Sequence, residues 1–113
     1  MLDVDRFVNV GYLKIESAFD RELRLRCQDQ LWRTTGLNRR DPPSWTESLV
    51  RVPAMASPEF TASANTDALT AAFDALVGPG GWRPRLGMGT FPLRFPSAEP
   101  PREGGWHVEA SFY

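Results

Sequence analysis

Apolar positions recur with two different periods along the chain. Phe19, Leu23, Cys27 and Leu31 follow at steps of four, with Arg21, Glu22, Arg24 and Asp29 largely off that line. This spacing predicts an amphipathic helix over residues 18–34. Ser17, three residues before Asp20, reads as its N-cap, and Gly36 as its stop. A second helical stripe, Leu69, Phe73, Leu76 and Val77, runs through "DALTAAFDALV", opened by Thr66 and closed by Gly78-Pro79. Between them, Ser57-Pro58 opens a shorter helix, "PEFTASA", with proline at its first position. At the start, "DRFVNV" predicts a short helix or turn, and "YLKI" after Gly11 a short strand.

Elsewhere the period falls toward two. "SLVRVPAM" predicts a strand around Leu49–Val52, and "RPRLGMGTFPLRFP" a strand-like stretch broken by glycine and proline. "LNRRDPPSW" and "SAEPPREGG" read as loops, and "WHVEASF" as a final strand. The expected class is α+β in one partial domain, 1–113: a mainly helical cover with short strands over 1–78, and first β-strands over 79–113. A final apolar strand with no return strand to cover it leaves an open edge.

Composition narrows the function classes. The formal net charge of −1 gives no electrostatic support for a nucleic-acid partner. No segment approaches the ~20 apolar residues of a membrane span, and the N-terminus has no secretory pattern. The single cysteine, Cys27, excludes an internal disulfide and a cysteine zinc cluster. A cytoplasmic location is the expectation.

Candidate chemistry concentrates in "GGWHVEASFY", which holds the only histidine. In a strand, His107 and Glu109 project to one face, with Trp106 and Val108 on the other. An imidazole and a carboxylate side by side suit a borderline divalent metal; two histidines and one carboxylate define the non-haem Fe(II) oxygenase site. On spacing alone the pair is a weak signal, and a half-buried histidine beside a surface glutamate is the favoured reading. Other signals are weaker. Cys27 lies on an apolar stripe and reads as core packing, and "GPGG" and "GMG" match no phosphate-binding loop. Trp32, Trp45, Trp82 and Trp106 form no stacking ladder in sequence, and Asn38–Arg40 reads as solvated loop.

Taken in order, "FVNVGYLKIESAFDRELRLRC", "SLVRVPAM", a helix ending "LVGP", "GMGTFPLRFP" and "GGWHVEASF" resemble the N-terminal part of phytanoyl-CoA dioxygenase-like proteins. These are Fe(II)- and 2-oxoglutarate-dependent oxygenases. The resemblance implies helices plus the first strands of a double-stranded β-helix, with the rest of that barrel outside this sequence. It implies that His107 and Glu109 are two of three iron ligands, glutamate standing where aspartate is commoner. Glutamate is longer by one methylene, so the metal would sit farther from the strand. It further places Arg51 and Met88 at 2-oxoglutarate-contacting positions. A guanidinium can clamp a carboxylate; a strand-edge charge and a core side chain are the structural alternatives. The family's second histidine and its far-carboxylate arginine are expected later in the chain, so residues 1–113 alone are expected to be inactive. In the complete protein the partner would be a small-molecule substrate. A rival expectation is a standalone interaction module that forms a homodimer through its C-terminal strand.

Overall fold

The computed structural model describes residues 1–102. The fold is mixed helix and sheet, as the two hydrophobic periods predict. Among the described residues, four α-helices are α1 (Val4–Val10), α2 (Arg21–Thr35), α3 (Pro58–Ala64) and α4 (Asp67–Val77). Strands β1 (Leu49–Val52) and β2 (Phe91–Arg94) pair antiparallel, with Arg51 opposite Pro92 and Val52 opposite Phe91. The predicted final strand, "WHVEASF", lies outside the described residues.

The main helix starts later than its sequence suggests. Ser17 has φ +52, the left-handed region, whereas an N-cap needs extended backbone. Asp20 supplies that geometry and accepts a hydrogen bond from the Leu23 N–H at 2.7 Å. Phe19 therefore precedes the helix and is substantially exposed. The C-terminus is as expected: Gly36 sits at φ +70 and its N–H donates to the Arg33 carbonyl. "YLKI" is not a strand. Together with Leu2 and Val4 it lies across a groove from Ala68, Ala71, Ala72 and Ala75 of α4. A helix surface has no free backbone ladder to offer an extended segment. The preceding helix, α1, buries none of its residues.

Three elements build the core. Leu23 and Cys27 of α2 meet Phe60 of α3, and Leu31, Met55, Met88 and Phe91 pack around them. Val52 is buried on β1. The Phe60 and Phe91 rings lie 5.4 Å apart, which joins α3 to the sheet. On α4 the buried residue is Ala72, while Val77 at the end of the expected stripe is exposed. A polar clamp fixes α2 against α3. Ser57 Oγ donates to Gln30 Oε1 at 2.6 Å, and Gln30 Nε2 donates to Glu59 Oε2 at 2.7 Å. Ser57 thus occupies the N-cap position of α3 while spending its hydroxyl on α2 rather than on its own helix. Thr66 does both: it accepts from the Leu69 N–H and donates to the Ala18 carbonyl, pinning the 17–19 turn to α4.

Two glycines allow the strands' continuation to close up. Beyond Val52 and Phe91 the ladder breaks at Pro53, which has no N–H, and resumes in the same register at Met55 and Met88. These two exchange both backbone hydrogen bonds, at 2.7 and 2.9 Å. A Cβ on Gly87 would lie 2.6 Å from the Met55 carbonyl oxygen, and one on Gly89 would lie 2.8 Å from the Ala54 Cα. The break also changes the faces. Unbroken alternation would put Met55 on the exposed side with Arg51, yet Met55 packs against the core.

Candidate functional site

His107 and Glu109, the pair with the strongest chemical signal, lie outside the described residues. Among the described residues, no group of three or more His, Cys, Asp or Glu side chains could hold a metal ion.

Arg51 and Met88 are described, and the structure puts them in different surroundings. Arg51 is the exposed residue of β1, across from Pro92. Met88 is half-buried, and its Sδ lies 3.1 Å from Ser63 Oγ, which donates to it. The same hydroxyl lies 2.9 Å from the Phe60 carbonyl, so its single proton is shared between two acceptors. Met88 packs against Phe60, Cys27 and Leu23. This is the environment of a core side chain.

Cys27 is buried, and burial pushes its thiol up from the ordinary value, with the Ser63 hydroxyl pulling back. A raised thiol is neutral at neutral pH and is not an activated nucleophile. Packing is its role here. The glycine motifs are structural too. Gly78 caps α4, its N–H donating to the Asp74 carbonyl, and Gly81 closes the following turn onto Gly78. Residues 38–40 stay exposed, with Arg39 paired to Asp29 of α2 at 2.7 Å.

One grouping has no signal in the sequence. Trp32, Trp45 and Phe95 come from α2, the loop before β1, and the residue after β2. Their ring centroids lie 5.3–5.9 Å apart. The Trp45 indole N–H donates to the Asn38 carbonyl at 2.8 Å. Such a cluster ties the 37–48 loop to the helix and the sheet. Its members are 13 and 50 residues apart in sequence, too far for any local period to reveal. Beside it runs a cleft of about 310 Å³ between Gln28, Leu31 and Trp32 on α2 and residues 93–95.

Glu59 is the described acid whose ionisation is most clearly tuned. Its own backbone N–H and then the Gln30 amide hold its carboxyl below the ordinary value of 4.5. A depressed carboxyl contributes stability that is present above the unfolded-state value and lost as pH falls through the folded one. The clamp between α2 and α3 is therefore expected to weaken on acidification from pH 4.5 downward. Urea midpoints followed from about pH 6 to about pH 2 check this. Glu59→Gln should flatten the acid limb, and an unchanged limb would remove Glu59 as its source.

No family model matches the chain, and neither a curated protein nor a solved structure matches it. Among the described residues, no helix is long and apolar enough to cross a membrane.

Proposed function

We propose that the chain is the N-terminal portion of a phytanoyl-CoA dioxygenase-like oxygenase, dependent on Fe(II) and 2-oxoglutarate. The observation that carries this reading is the ordered set of segments that ends on Trp106-His107-Val108-Glu109. A structural fact supports it: the segments "SLVRVPAM" and "GMGTFPLRFP", far apart in sequence, pair directly through β1, β2 and the Met55–Met88 bridge. In the complete protein these strands would open a double-stranded β-helix, with α2 and α3 packed against them.

The donor set fits such a metal in part. His107 offers one neutral imidazole and Glu109 one carboxylate, a pair chemically suited to a divalent first-row ion. When bound, iron and 2-oxoglutarate supply the oxygen activation that hydroxylates a C–H bond of a small organic substrate. The protein's work is to bind the ion through these two side chains, keep other positions open, and exclude water. By the resemblance, Arg51, exposed on β1, would hold a carboxylate of 2-oxoglutarate by charge and hydrogen bonding. Met88 would then shape the site from behind, through its packing. Since the sequence has one histidine, a second imidazole ligand, where the resemblance calls for one, would have to come from outside it.

With two ligands, residues 1–113 should bind Co(II) or Ni(II) weakly and form no succinate from 2-oxoglutarate. Calorimetric titration of the purified chain checks the binding, and His107→Ala should abolish it. Iron-dependent succinate formation by the purified monomer would overturn the fragment reading.

A second reading is favoured by the exposed apolar side chains. Val8, Val10, Tyr12 and Leu86 are 75%, 51%, 60% and 80% exposed. Exposed apolar side chains are surface that a small interaction module would offer a partner, and the homodimer through the C-terminal strand is the form of that reading. Size-exclusion with and without Fe(II) or Zn(II) separates the cases, and a metal-indifferent monomer excludes a metal-bridged dimer.

A further inference from the structure

No further inference is drawn: the strongest candidate, the apolar cleft between α2 and β2 beside the Trp32–Trp45–Phe95 ring cluster, has nothing among the described residues to show what covers it.

Discussion

Phe60→Ala is expected to unfold most of the described core at room temperature. Phe60 is 2% exposed and sits where α2, α3 and β2 meet. Truncating a buried phenylalanine costs about 3–5 kcal/mol, because apolar burial is lost and a cavity remains. The net stability of a domain is only about 5–15 kcal/mol. Here the buried apolar set among the described residues is Leu23, Cys27, Val52, Phe60, Ala64 and Ala72, two of them alanines. A loss of this size is a large share of that range. Urea unfolding followed by tryptophan fluorescence should show the midpoint collapse toward zero denaturant. Phe60→Leu, which keeps most of the volume, should retain a folded baseline. A Phe60→Ala midpoint close to that of the parent would mean that the helices do not share this core.

Gly87→Ala should cost nearly as much, for a different reason. The added methyl would meet the Met55 carbonyl oxygen at 2.6 Å and the Ala56 Cβ at 3.1 Å. That carbonyl accepts the Met88 N–H at 2.9 Å, so relief of the clash pulls the bridge apart. Overpacking typically costs about 1–3 kcal/mol, and a lost backbone hydrogen bond adds about 1 kcal/mol. Met55 and Met88 would both lose their seats against Cys27 and Phe60. Gly11→Ala is the matched control. It has φ +90 but nothing within 4 Å of the new Cβ, so only the conformational penalty applies. Amide exchange at Met55 and Met88 should accelerate in Gly87→Ala and stay unchanged in Gly11→Ala. Equal effects of the two substitutions on these amides would contradict the steric account.

The helices and β1 were legible because they rest on local rules. Leu23, Cys27 and Leu31 keep the helical step, Thr66 and Gly36 are strong end signals, and Pro58 stands at a first helical position. Local rules leave the start of α2 open because both Ser17 and Asp20 have capping side chains, and backbone conformation chooses Asp20. "YLKI" has the composition of a strand, but its neighbour is α4, so tertiary context overrode a β preference. The stripe on α4 ends differently for a similar reason: Ala72 turns inward and Val77 is left in solvent. What no local rule reached was long-range. The aromatic cluster joins residues 32, 45 and 95, and the Ser57–Gln30–Glu59 clamp joins two helices through side-chain amide chemistry. The face change across Pro53 was equally hidden, since it follows from where the ladder breaks.

Of the proposed site residues, Arg51 and Met88 fall among the described residues, and the rest is legible from the sequence alone. His107 and Glu109 are recognisable by residue type and by their spacing of two. Arg51 lies on β1 and Met88 on the segment that leads into β2, where it bridges Met55, with one side chain exposed and the other packed against the core. The functional account therefore turns on iron and on His107. Its most direct test is 2-oxoglutarate turnover by the reading frame continued past the codon for Tyr113. The expected result is Fe(II)-dependent succinate formation that disappears in His107→Ala. A protein that binds no iron would contradict the account.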